Sequence, residues 1–218
     1  PIQEWVDTDL PRDEEILLAD VVAYLVGRGF DPVAEDFYWT PMAGMNDRVI
    51  IPFWYEERIV GWTARKVKKG KLKYLSDQHP NFVFNLDSVT QTQKYVFVCE
   101  GPFDALAVNG VALLHNEINE EQARLINKLG KDVIVIPDQD KAGSKLISDA
   151  MKYDWAVAFP NWEDNIKDAA SAVEQYGSVF VVLDAIKTAQ AGSIKLTLYK
   201  KNFEKRLENS AFAASISH

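Results

Sequence analysis

The spacing of apolar positions changes character twice along the chain. Over residues 13–27 they cover a broad face at helical spacing that stops at Gly27, which predicts a helix. An irregular stretch rich in proline and aromatic residues follows, up to Asn46. Residues 48–55 and 58–67 are then rich in β-branched and aromatic side chains on either side of Glu56-Glu57, which predicts two strands joined by a tight turn, with 71–75 a possible third strand. Beyond Leu86 short apolar runs (95–99, 111–114, 132–136, 155–159) alternate with helical patterns (103–108, 120–129, 143–152), and Asn119 with Gln122 forms a capping-box signature ahead of the second of these helices. A β-α-β-α-β-α-β order implies an α/β fold, a mostly parallel sheet flanked by helices. Residues 179–186 suit either a strand, by their β-branched content, or a closing helix, by their place after Tyr176-Gly177. The expected division is a smaller basic α+β subdomain at 1–90, the α/β catalytic subdomain at 91–185, and a helical extension or tail at 186–218.

Charge alters this picture. The chain carries a net charge of −8, yet residues 58–73 hold seven basic residues (Arg58, Arg65, Lys66, Lys68, Lys69, Lys71, Lys73) and no acid. Such segregation places a positive field on an otherwise anionic body, suited to a phosphate backbone; a solvated lysine-rich hairpin is the plain alternative. No apolar run approaches the roughly 20 residues of a membrane span, so the expected location is the cytoplasm, with no membrane partner. One cysteine, Cys99, and three scattered histidines allow neither a disulfide framework nor a thiolate zinc site, and no zinc is expected in this chain.

Candidate chemistry lies where the α/β pattern would place it. Ligands in open α/β sheets gather at the carboxyl ends of strands. The first strand of the alternating region runs into Glu100-Gly101, the third into Pro137-Asp138-Gln139-Asp140, and the segment after the fourth carries Glu163, Asp164 and Asp168. If strands one, three and four lie side by side, these carboxylates meet at one edge. They can stay ionised together only around a cation, and hard oxygen donors favour Mg²⁺ or Mn²⁺. Taken singly, any of them could equally cap a helix. Neither a G-x-x-x-x-G-K-[ST] loop nor a G-x-S-x-G elbow is present, which disfavours a P-loop ATPase and a serine hydrolase.

These residues resemble a family. Glu100-Gly101-Pro102-Phe103-Asp104-Ala105-Leu106 is similar to the glutamate motif of the TOPRIM fold, residues 133–143 (VIVIPDQDKAG) to its D-x-D motif, and Lys167-Asp168-Ala169 to the element that supplies a further acid in primases. Upstream, AYLVGRGF (23–30), RVIIPF (48–53), IVGWTAR (59–65) and KYLS (73–76) resemble, in the same order, a series found in bacterial and phage replicative primases.

The resemblance implies a TOPRIM-type core of a DNA primase, a nucleotidyltransferase that makes short RNA primers from ribonucleoside triphosphates on single-stranded DNA, with a replicative helicase as partner. It further implies Asp138, Asp140 and Asp168 as metal ligands, with Asp164 competing for the third place. Glu100 would be a further ligand or a proton acceptor. Asp104 would order the site, or serve only as an N-terminal helix charge. Arg48, Arg65 and Lys73 would meet nucleotide or template, and Lys66, Lys68, Lys69 and Lys71 the nucleic-acid backbone. Lys141 would meet a triphosphate, or be an exposed turn lysine. The same acids would also serve a TOPRIM nuclease, and the basic segment alone a non-catalytic module of a replisome.

Overall fold

The structure, a computed structural model, describes residues 5–11, 19–32 and 35–216, with side chains of the last helix described as far as Asn209. The chain divides into two compact units, Pro1–Phe82 and Val83–His218.

The first unit is built on an antiparallel sheet in the order β1 (Arg48–Tyr55), β2 (Arg58–Lys66), β3 (Tyr74–Asp77). Glu56 and Glu57 both adopt left-handed backbone (φ 46° and 64°), the twist a two-residue hairpin turn requires. Pro52 is tolerated because β1 is an edge strand: Ile50, two residues earlier, turns its N–H and carbonyl outward to Tyr38, so position 52 also faces away from β2. Phe53 stacks on Phe82 at 5.1 Å between ring centroids, and Trp5 packs edge-on against Phe82 and Tyr55. The first helix is described from Ala19 to Gly27 (α1); the earlier turns of the expected helix lie outside the described residues. The third strand begins at Tyr74 rather than residue 71, because Leu72 turns the chain with a left-handed φ of 54°.

The second unit holds a parallel four-stranded sheet made of β4 (Tyr95–Cys99), β5 (Val111–Ala112), β6 (Asp132–Val135) and β7 (Ala156–Val157), in the order β5-β4-β6-β7. The first, third and fourth strands are therefore neighbours, as the convergence of acids requires. Alternate side chains of β4 and β6 feed two cores. Val96, Val98, Val133 and Val135 pack with residues of α3 (Glu120–Lys128), α4 (Lys141–Lys152) and α7 (Ser193–Ile216). Phe97, Cys99 and Ile134 pack with α5 (Ala169–Tyr176) and α6 (Ser178–Thr188). Burial on both faces explains why these strands read as continuous apolar runs. The capping box opens α3: Asn119 accepts from the Gln122 N–H at 2.9 Å, and Gln122 accepts from the Asn119 N–H at 3.4 Å. Residues 179–186 are helical; Gly177, at φ 83°, breaks the chain between α5 and α6, and Val181 and Ala185 bury one face. Among the described residues no helix is long and apolar enough to cross a membrane.

Candidate active site

Strands β4 and β6 end together in the second unit. Beyond their ladder the Ile136 N–H donates to the Val98 carbonyl at 2.9 Å, so Glu100 and the turn 137–140 leave the sheet at one edge. Gly101 and Pro102 then open α2 (Pro102–Ala107), which puts Asp104 in its first turn. A Cβ at Gly101 would stand 2.8 Å from the Asp104 Oδ2, so the missing side chain gives that carboxylate room beside the strand end. Asp104 is buried, and its Oδ1 accepts from the Ala170 N–H at 2.9 Å, joining α2 to the first turn of α5.

Two of the other acids begin helices. Asp140 caps α4, accepting from the N–H groups of Ala142 (2.7 Å) and Gly143 (3.1 Å), and Asp168 caps α5, accepting from Ser171 at 2.7 Å. Each retains a second carboxylate oxygen. The helix α4 is pressed onto the acidic turn: a Cβ at Gly143 would lie 1.9 Å from the Asp138 carbonyl oxygen. A 2.7 Å hydrogen bond from the Gln139 N–H to the Lys167 carbonyl ties this turn to the loop before α5.

The electrostatics follow from this crowding. Burial, then the charges of Asp104, Glu100, Asp168 and Asp140, push the Asp138 carboxyl up to about 10. Burial and the Asp140 and Asp104 charges push Glu100 to about 7 against a lowering hydrogen bond from the Asp138 backbone. The buried Glu100 Oε1 has no hydrogen-bond partner among the described residues. The buried Cys99 thiol beneath these groups is pushed up as well, by burial first and then by Asp104, Asp138, Glu100 and Asp168, and is a poor nucleophile.

The charges of Asp104, Asp140 and Asp168 therefore reach Asp138, and those of Asp104 and Asp140 reach Glu100. An all-oxygen donor set with an orphaned buried carboxylate oxygen fits a hard divalent cation, although among the described residues no three of these side chains already converge on a point that could hold one. Asp164 lines a cleft together with Asp140, and its charge acts on Arg206.

Beside the acids opens a cleft of about 1000 Å³, whose walls include Asp140, Lys141, Trp162, Asp164 and Arg206. Lys141 is exposed in the first turn of α4. The last helix contributes more than its sequence announced. Arg206 donates to the Gln139 side-chain oxygen and, at 3.3 Å, to the Pro160 carbonyl, so one guanidinium spans the loops after β6 and β7. Ser144 donates to Glu204 at 2.5 Å. These partners lie more than forty residues apart in the chain.

In the first unit the basic residues divide by surroundings. Lys69, Lys71 and Lys73 are exposed, while Lys68 pairs with Asp20 at 2.5 Å on the surface and Lys66 with Asp47 at 2.9 Å. Arg65 and Lys73 both lie over the Tyr74 ring, at 4.8 and 5.7 Å from its centroid. Arg48, by contrast, is 3% exposed and turned inward.

Residues 97–170 match the Toprim-like family. No curated protein sequence matches the chain. Among solved structures, a DnaG primase catalytic domain bound to single-stranded DNA superposes with a TM-score of 0.58 at 18% identity, over 82% of this chain and 60% of that one. A DNA primase domain from Pseudomonas aeruginosa gives 0.57 at 21% identity over 71% and 57%, and the primase fragment of the bacteriophage T7 primase-helicase protein 0.57 at 17% over 74% and 73%. This chain thus spans less than two thirds of the first two. The second unit carries a Toprim-like domain, and the chain has the fold of DNA primase catalytic cores.

Proposed function

We propose that the chain is the catalytic core of a DNA primase, joining ribonucleotides into short RNA primers on a single-stranded DNA template. The observation that carries this reading is the placing of Glu100 and the Asp138–Asp140 turn side by side at the carboxyl ends of the neighbouring strands β4 and β6, with the charges of Asp104 and Asp168 also reaching Asp138. In the reaction a 3′-hydroxyl attacks the α-phosphate of a nucleoside triphosphate; one phosphorus–oxygen bond forms, pyrophosphate leaves, and the hydroxyl proton must be accepted.

Asp138, Asp140 and Asp168 are the residues that would hold Mg²⁺ or Mn²⁺, with Asp164 as a competing third acid and Glu100 as either a further ligand or the proton acceptor. When bound, the ion supplies charge neutralisation of the triphosphate and activation of the attacking oxygen. As the proton acceptor, Glu100 would take the proton at Oε1, since burial and the Asp140 and Asp104 charges push its carboxyl up to about 7. Asp104 acts by position, holding α2 to α5 through Ala170. Lys141, at the cleft, would meet phosphate oxygens of the incoming nucleotide. The exposed Lys68, Lys69, Lys71 and Lys73 would follow the template backbone, and Arg65 with Tyr74 offers a cationic, aromatic surface for nucleotide. The site of action would be the cytoplasm, beside a replicative helicase.

The test is incorporation of labelled ribonucleotides on a single-stranded oligonucleotide with Mg²⁺ or Mn²⁺, using the parent chain and Asp138→Asn. Primer synthesis by the parent and about 10³-fold less by the variant is expected, since a site of this kind supplies several kcal/mol of transition-state stabilisation. Degradation of the oligonucleotide without incorporation would make the chain a nuclease, and equal synthesis by the two proteins would remove Asp138 from the machinery.

A further inference from the structure

Arg48 has an unusual setting for a residue of a basic nucleic-acid-binding segment. Its side chain is buried in the first unit, and its guanidinium donates to backbone carbonyls alone: Nε–H to Gly44 (3.2 Å), NH1 to Ala64 (3.1 Å) and Lys73 (3.4 Å), and NH2 to Leu72 (2.8 Å). Four of its five donors are thereby used. Two of the carbonyls belong to Leu72 and Lys73, at the far end of the connection between β2 and β3, and a third to Ala64 on β2. Leu72 is held in left-handed backbone, a conformation a leucine adopts only where its surroundings impose it.

Asp47 reinforces the arrangement from the next position. Its carboxylate pairs with Lys66 at 2.9 Å, which with Arg48 holds that carboxyl below its usual range, and its carbonyl accepts from the Val67 N–H at 2.9 Å. The Lys66 N–H donates to the Lys73 carbonyl at 2.9 Å. Both ends of the connection are thus bolted to the start of β1, while Lys68, Lys69, Gly70 and Lys71 stand exposed between them.

We propose that Arg48 is a positioning residue, which fixes the connection between β2 and β3 so that its lysines form a preordered cationic array for a single-stranded nucleic-acid backbone, without touching phosphate itself. This rests on the primase reading of the hairpin. Preordering matters because each side chain immobilised on binding costs roughly 0.5–1.5 kcal/mol, and a chain already held in place loses less.

Arg48→Met and, as a variant retaining charge but only three donors, Arg48→Lys are compared with Lys69→Ala/Lys71→Ala in the full chain. Two measurements are made: amide hydrogen exchange without nucleic acid, and affinity for a single-stranded oligonucleotide across a salt series. In Arg48→Met the amides of 66–73 are expected to exchange at least about tenfold faster, while peptides from 49–55 and the second unit keep their protection; affinity should fall about five- to tenfold with the parent's salt slope. Arg48→Lys should lie between the parent and Arg48→Met in both. The double lysine variant should instead lose roughly 1.4 units of slope, at about 0.7 per phosphate contact.

Loss of about 0.7 units of slope in Arg48→Met, with unchanged exchange at 66–73, would mean direct phosphate contact and overturn the proposal. Faster exchange with unaltered affinity would overturn it too, by making Arg48 merely structural. If Arg48→Met does not fold, the same criteria apply to Arg48→Lys. If the double lysine variant binds as the parent does, it is the reading of the hairpin as a nucleic-acid surface that fails.

Discussion

Both units bury charge, and they do so in opposite ways. Arg48 in the first unit gives its hydrogens to four carbonyl oxygens, with the Asp47 carboxylate within reach of its charge. In the second unit Asp138 and Glu100 are surrounded by further acids, and one Glu100 oxygen has no donor among the described residues. A satisfied buried charge holds a structure together, whereas an unsatisfied cluster of like charges is a cost the fold retains. Such a cost points to a role other than stability.

The comparison breaks most directly at Asp138. Asp138→Asn should lower primer synthesis about 10³-fold while raising the melting temperature in metal-free buffer at pH 8, by about 2–4 °C for each kcal/mol relieved of the cost of burying that carboxyl among other acids. Differential scanning calorimetry beside the activity assay reads both. Arg48→Met should act in the other sense, with a local loss of about 1.4 kcal/mol at residues 66–73, read as roughly tenfold faster amide exchange there, because it leaves their carbonyls without donors.

Gly143→Ala tests the packing of the acidic turn. Its methyl would meet backbone rather than a movable side chain, so a loss of roughly 3 kcal/mol is expected in thermal or urea melts, at the upper end for overpacking.

The acid cluster should also make stability depend on pH. The Asp138 and Glu100 carboxyls bind protons more tightly folded than unfolded, so their contribution is complete below about pH 4 and fades as pH rises through about 7 for Glu100 and towards about 10 for Asp138. Metal-free melting temperatures should therefore fall from pH 6 to pH 9, and Asp138→Asn should flatten the fall. Mn²⁺ added at pH 8 should restore stability to the parent more than to the variant.

The smallest effect concerns the cleft. Arg206→Ala should reduce kcat by about tenfold, through loss of registration between two loops, with little change in melting temperature; steady-state kinetics would show it.

Much of this was legible in the sequence because it is local. β1 and β4 begin and end where the apolar runs do, the Asn119–Gln122 capping box opens its helix, and Glu100, Asp138 and Asp140 stand at strand ends because their neighbours alternate strand with helix. Residues 179–186 could not be assigned from periodicity, since burial of only Val181 and Ala185 leaves a weak pattern, and the break at Gly177 is what makes them a helix. What escaped the sequence is the long-range partnership. Nothing in RVIIPF says that its arginine turns inward to the carbonyls of residues 72 and 73, and nothing near Arg206 announces Gln139 sixty-seven positions away. The two capping acids were ambiguous for a different reason: an aspartate before a helix has one oxygen for the backbone and one to spare, and sequence cannot say how the second is used.

That divided use has a consequence for exchange of bound species. Asp140 Oδ1 already accepts two N–H groups and Asp168 Oδ1 one, so each carboxylate offers its other oxygen first to anything arriving from solvent. On the primase reading, a cation gripped chiefly by such single arms would draw more of its coordination from water or from the oxygens of the incoming nucleotide, and its release would follow that of the nucleotide.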